Sequence, residues 1–360
     1  MDNITHASLG IVAAVLTARD GLRRQAALAG MLAAELPDLD VLIFSNSDPL
    51  LGLQMHRYFS HSLLVIPLLG ILGLLLANGI RKMGRRPVVW RGLWLPAIAA
   101  AATHGFCDTW TSYGTHLLWP FSERRESWDL ISVIDPLLTL PLAWGAVLAW
   151  RGARRRPAFL AAGWVACYLG LCLLQQHRAS NAVRHWAATQ GHEPSRLTVK
   201  PSFGNIMVWR GLYVNAGRCQ VVCVRPGITE GTCVLGVASV EMVEPSRPLP
   251  PLSALRQGSV QALDVLRFQH FSDDWLGVHP EHPGVIGDLR YATLPDRISP
   301  LWGIVIDPSM QDHHVKVAVF RRADRETWAT LWRMITGTVR PFPEKKEFSH
   351  LPSNSGMLNA

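Results

Sequence analysis

His104 and Asp108, in the stretch HGFCDTWTSYG at 104–114, stand four residues apart at the end of an apolar segment. At 3.6 residues per turn the two side chains share one helix face and can reach the same cation. The run before them, Gly92 to Cys107, carries no formal charge. An unpaired carboxylate at the end of such a run costs roughly 2.5 to 3.5 kcal/mol on the insertion scale, and a divalent ion would compensate it. A polar helix cap at a membrane–water boundary is the other reading of the same pair.

Further donors of the same chemical type lie upstream. His6 is near the start, Asp38 and Asp40 occupy PDLD at 37–40, and His56 and His61 occupy HRYFSHS at 56–62, with His116 downstream. Histidine and carboxylate without thiolate suit Zn²⁺ or Mn²⁺, and the set is large enough for two ions. Two ions a few ångströms apart would clamp a phosphoester and activate a water. Arg57, between the two histidines, is placed to hold a substrate phosphate or to face a lipid headgroup. Each motif alone has a plainer reading: PDLD as a helix stop with solvated acids, HRYFSHS as an interfacial anchor.

These residues need elements to position them. Apolar stretches at 7–18 and 25–36, each too short to span a bilayer, flank a turn with Arg19, Asp20, Arg23 and Arg24 and predict a helical hairpin. Four longer apolar runs predict crossings: Ser62 to Gly79, Gly92 to about Trp110, Ile131 to Trp150, and Ala158 to Gln175. Arg81, Lys82, Arg85, Arg86 and Arg91 separate the first two, and Arg151, Arg154, Arg155 and Arg156 the last two. The positive-inside rule puts these loops in the cytoplasm and His61, Asp108, His116 and Asp135 on the opposite side. If the 19–24 turn is cytoplasmic too, His6, Asp38 and Asp40 join them. Scattered histidines have no reason to segregate to one face, so the convergence argues for a metal centre there. The N-terminal stretch reads as a retained segment, because Asp2 and His6 precede it and arginines follow it.

The 360 residues carry a net charge of +8, but the basic residues gather in short loops between apolar runs, which sets topology rather than a nucleic-acid footprint. The chain therefore divides into a helical membrane domain at 1–178, a helical connector at 179–194, an extracytoplasmic α+β domain at 195–345 and a flexible tail at 346–360. Strands are predicted at 206–214, 220–225, 233–243, 302–307 and 315–320, and helices at 252–268 and 324–336. Cys107, Cys167 and Cys172 fall in apolar segments; two of Cys219, Cys223 and Cys233 could pair in an oxidising compartment. In this domain HFSDD at 270–274 reads as a helix end, Asp312, His313 and His314 as a solvated turn, and Trp275, Tyr291 and Trp302 as core.

His6, PDLD, HRYFSHS and HGFCDTWTSYGTHLLWPFS at 104–122 together resemble the YdjM-like membrane-bound predicted metal-dependent hydrolases over about residues 1–150. More distantly they resemble the zinc-dependent phospholipase C and single-strand nuclease superfamily. The resemblance implies His6, Asp38 or Asp40, His56 or His61, and His104 with Asp108 as ligands, one PDLD aspartate bridging ions or orienting the attacking water. Those soluble enzymes also use their free N-terminal residue and a second His-x-x-x-Glu. Here Met1 is followed by Asp2 and the membrane half has no second such motif, which argues against a third ion. The expectation is an inner-membrane hydrolase holding one or two divalent ions, zinc or manganese, and acting on a phosphoester or ester of a lipid or lipid-linked substrate. The alternative is a non-catalytic, metal-stabilised anchor presenting the C-terminal domain to a partner. The oligomeric state is open, and no nucleic-acid partner is expected.

Overall fold

In the computed structural model residues 1–227, 231–243, 250–321 and 324–342 are described; the expected tail at 346–360 lies outside them. Asp2 caps α1 (Asn3–Thr17), its carboxylate accepting from the Thr5 backbone N–H. α2 (Arg23–Glu35) returns antiparallel to it. The two helices touch backbone to backbone: a methyl added at Gly10 would lie 2.5 Å from the Ala34 methyl and the Gly30 carbonyl oxygen. Ala14, Ala18, Ala26 and Ala29 extend this seam of small residues, the way helices pack when surrounded by lipid. A 3-10 turn at Pro37–Leu42, α3 (Leu51–Met55) and a second 3-10 turn at Phe59–His61 follow. Then come α4 (Ile66–Met83), α5 (Trp94–Asp108), α6 (Pro136–Gly152) and α7 (Arg155–Thr189). α1 is the axis of this bundle and packs against α2, α5, α6 and α7.

The outer faces carry the large aliphatic side chains. Leu68, Ile71, Leu72, Leu75 and Leu76 of α4, Leu140, Trp144 and Val147 of α6, and Phe159, Leu160, Leu171 and Leu174 of α7 are exposed, whereas buried alanines line the seam that α2 makes with α1 and α5. Such a distribution suits an apolar solvent. Among the described residues two helices, α4 and α7, are long and apolar enough to cross a membrane. The segments expected as the second and third crossings form α5, of 15 residues, and α6, of 17, shorter than the roughly 20 a hydrocarbon core requires. The expected last crossing and the helical connector are one uninterrupted helix, α7, of 35 residues.

The bundle has two unlike ends. At one, the arginine-rich turns interlock: Arg23 donates to the Ala153 carbonyl, Arg24 to that of Arg151, and Arg155 to that of Ala18. The other end carries the start of α1, the end of α2, the 3-10 turns and the end of α5. On this second end sits the C-terminal part, which is α+β as expected. Its first antiparallel sheet runs in order β1 (Arg196–Pro201), β2 (Trp209–Asn215), β3 (Arg218–Arg225) and β4 (Cys233–Glu241). Its second runs β5 (Leu276–His279), β6 (His282–Asp288), β7 (Trp302–Val305) and β8 (Lys316–Val319). α8 (Val260–Phe271), capped by Ser259, lies between the sheets in sequence, and α9 (Arg325–Thr336), capped by Asp324, follows the second. Val183, Trp186 and Ala187 of α7 share a core with Val199, Trp209, Tyr213 and Val222, so the long helix is built into the first sheet. Cys107, Cys167, Cys172, Cys219 and Cys223 are free. Cys219 and Cys223 lie four apart on β3, about 13 Å at strand rise, beyond disulfide reach.

Candidate metal centre

Four turns of chain bring the donors together. Proline stops α2 at Pro37, and the 3-10 turn that follows aims Asp38 and Asp40 across the end of the bundle. α5 ends with His104 and Asp108 on one face, both fully buried. The second 3-10 turn lays His61 against α5 where residue 105 is glycine; a methyl there would collide with the His61 carbonyl oxygen. α1 contributes His6, whose ring stacks on that of His104 at 3.6 Å between centroids.

One donor atom each from Asp38, His61, His104 and Asp108 lies within 4.8 Å of all the others. His61 Nε2 and His104 Nε2 face each other at 3.0 Å, His61 Nε2 lies 3.4 Å from Asp38 Oδ1, and His61 Nε2 lies 3.2 Å from Asp108 Oδ2. Asp38, Asp40 and His56 form a second group by the same criterion, so Asp38 belongs to both. Of the alternatives the sequence leaves open, both PDLD aspartates and both histidines of HRYFSHS are therefore present. His6 is 3.3 Å from Asp108 Oδ1, and among the described residues neither of its buried ring nitrogens has a hydrogen-bond partner; Asp108 Oδ2 also lacks one. Buried polar atoms left in this state, all converging, fit a cation among them.

A second layer orients the donors. Asp40 accepts from the Arg57 backbone N–H at 2.9 Å and the Ser60 hydroxyl at 2.7 Å, and its other oxygen lies 2.8 Å from His56 Nδ1. Ser60 Oγ and Asp40 Oδ2 lie 2.9 and 3.3 Å from His61 Nδ1, which leaves Nε2 to face the centre. His104 Nδ1 meets the Ala34 carbonyl, with the same result. Arg57, in left-handed backbone geometry, is buried; one Nη lies 3.1 Å from Asp108 Oδ1 and the other donates to Thr111 at 2.9 Å, while its Nε has no partner among the described residues. The Met1 amine also contacts Asp108.

Burial works against the Asp38 charge, but hydrogen bonds from His104 and His61 outweigh it and hold the carboxyl well below the usual carboxylate range. Asp40 is likewise held low against burial, by His56 and His61. Burial would lower His61, yet the carboxylates of Asp108, Asp38 and Asp40 around it push it up to about 10, so without an ion a proton holds these carboxylates together.

His116 stands apart from both groups. Its ring packs edge-on against Tyr58, its backbone N–H donates to the Arg57 carbonyl, and burial with Arg125 nearby pushes it down to about 4. Ser60, Thr111 and the Met1 contact were not anticipated; Ser60, next to His61 in HRYFSHS, is the one a second-layer argument could have found. A third group, Asp48, Asp264 and His314, lies between the bundle and α8, where Arg267 already supplies the cation to both carboxylates.

The family described as YdjM inner membrane protein matches residues 1–179. The chain is also 31% identical over 142 residues to inner membrane protein YbcI of Escherichia coli (strain K12), which covers 36% of this chain and 75% of that protein. No solved structure matches. The matched region is the helical bundle with its cluster of histidines and carboxylates.

Proposed function

The chain belongs to the YdjM inner membrane protein family, and from that premise we propose that it is a membrane-bound metal-dependent hydrolase acting on a phosphoester or other ester of a lipid or lipid-linked substrate. The observation that carries this reading is the convergence of Asp38, His61, His104 and Asp108, joined through Asp38 to Asp40 and His56. A divalent ion held there, zinc or by the same donor set manganese, would polarise an ester oxygen and lower the pKa of a water. Asp38, common to both groups, would help hold the ion and accept a proton from that water. Asp40 positions His61 and His56. Arg57 balances Asp108 through one Nη and holds Thr111 with the other, and its positive charge beside the centre would favour a substrate phosphate.

In this reading α4 and α7 span the membrane, and the shorter α5 and α6, with the loop residues that flank them, complete the four crossings around the α1–α2 hairpin. The interlocked arginine turns lie in the cytoplasm, and the centre with the C-terminal domain lies on the extracytoplasmic side. The ligands sit at helix ends, the level at which a lipid headgroup would meet them, and that placement supports the lipid substrate.

The test is turnover of a panel of lipid phosphoesters and carboxylic esters by detergent-purified protein. His104→Ala and Asp108→Ala should each abolish activity while the protein remains in the membrane fraction; retained turnover in both removes the proposed centre. The second reading, a structural ion in a non-catalytic anchor, is favoured by burial, since only Asp38 of the four-residue group is measurably exposed, at 18%. An ion-loaded protein with no turnover across the panel, destabilised by ion removal, would decide for it.

A further inference from the structure

We infer that α9 is an interfacial helix, which rests the C-terminal domain on the lipid surface beside the foot of α6. The inference depends on the membrane setting of the bundle and not on hydrolysis. α9 is strongly amphipathic. Leu331 and Met334 turn inward, Met334 joining Val208, Cys223 and Leu235 in a small core. Trp328 and Trp332, one turn apart, remain exposed at 45% and 66%, with Arg325 on the same flank.

The position of this flank selects its occupant. Trp328 packs against the exposed ring of Phe203, 5.4 Å between centroids. The Phe203 turn is fastened to the base of the bundle: the Gly204 N–H donates to Ser132 Oγ, and a Cβ on Gly204 would lie 3.9 Å from Pro136 Cδ in the first turn of α6. Around that point Val133, Ile134 and Leu137 are exposed. The aromatic flank of α9 is thus continuous, through Phe203, with the outward apolar face of α6. Tryptophan favours the headgroup level of a bilayer, where its ring is buried and its N–H stays wet. A neighbouring arginine can lay its stem on the same surface and keep its charge in the headgroups. Water would leave two tryptophans and a phenylalanine uncovered in a row.

The experiment uses the full chain in phosphatidylcholine–phosphatidylglycerol nanodiscs, with Cys167 and Cys233 replaced by serine. A nitroxide is attached at Trp332→Cys, Trp328→Cys or Glu326→Cys in turn, the last lying on the opposite flank of α9. Collision with oxygen and with a water-soluble nickel chelate is then read for each. At 332 and 328 the nickel accessibility should be lost and the oxygen accessibility kept, while 326 stays open to nickel. Nickel access at 332 and 328 equal to that at 326 overturns the inference. So does a label at 332 that neither reagent reaches, the signature of a protein–protein contact. Having two labelled positions keeps the test decisive if one variant fails to fold.

Discussion

Replacing Gly105 by alanine probes the geometry of the centre without touching a donor. The added methyl would stand inside van der Waals contact of the His61 carbonyl oxygen and 3.4 Å from Leu117 Cδ1. Alanine favours the helix by about 0.5–1 kcal/mol, whereas overpacking costs about 1–3 kcal/mol, so the fold should lose at most about 2.5 kcal/mol. The larger effect falls on the ion. Relief of the contact moves the His61 backbone by on the order of 0.5 Å, and ligand distances tolerate only about 0.2 Å. Disturbed support of a ligand lowers metal affinity roughly 10- to 100-fold. Zinc affinity of detergent-purified protein, measured by competition with a chromophoric chelator, should fall by that factor, with only a small change in melting temperature. Gly79→Ala, also in a helix but with nothing within 4 Å of the new methyl, is the control and should leave affinity unchanged. Wild-type affinity in Gly105→Ala would refute the claim that this close approach seats His61.

Three further outcomes follow from the same geometry. Asp40→Asn should weaken zinc binding about 10- to 100-fold by loosening His61 and His56; a chelator titration matching wild type would show that Asp40 orients neither. The metal-free protein should gain stability from protonated His61, because its folded value near 10 exceeds the ordinary 6.5. That contribution is complete below about pH 6.5 and is lost as pH rises through about 10, so zinc binding should strengthen with pH across this window and release a proton. Calorimetry at pH 7.5 in two buffers of different ionisation enthalpy reads the release, and identical heats would contradict it. Arg267 joins Asp48 and Gln54 of the bundle to Asp264 of α8. Arg267→Met should therefore weaken docking of the C-terminal part by about 1–2 kcal/mol, allowing for the partial exposure of the pairs. Faster hydrogen exchange in residues 45–58 is the expected sign, and unchanged exchange would place the docking energy elsewhere.

The donors of the centre were legible because polar residues are conspicuous in apolar sequence. PDLD, HRYFSHS and the His104–Asp108 pair each interrupt a run that otherwise has no reason to hold charge. Counting arginines in the turns was enough to bring all of them to one end of the bundle, which is where they lie. What the sequence hid depends on tertiary packing. Gly105 lets His61 seat against α5, while the orienting roles of Ser60 and Asp40 and the pairing of Arg57 with Asp108 join residues from different elements. Helix lengths were overread at both middle segments, since the apolar runs continue past Asp108 and begin before Asp135 as loop: Asp135 caps α6, accepting from the Leu137 and Leu138 N–H groups. In the C-terminal part β1, β5 and β6 were missed. β1 ends in a proline, and β5 and β6 carry Gly277, Gly284 and Gly287, which dilute the alternation that marks a strand. β3, with its run of valines, is the strand the sequence marks most plainly.

The most direct test of the central claim is the metal content of detergent-purified protein by mass spectrometry. Wild type is compared with a variant carrying Asp38→Ala, His61→Ala, His104→Ala and Asp108→Ala, each loaded with zinc or manganese and then desalted. The account predicts near-stoichiometric metal in the wild type and its loss in the variant. Equal metal in both, or none in either, would contradict it.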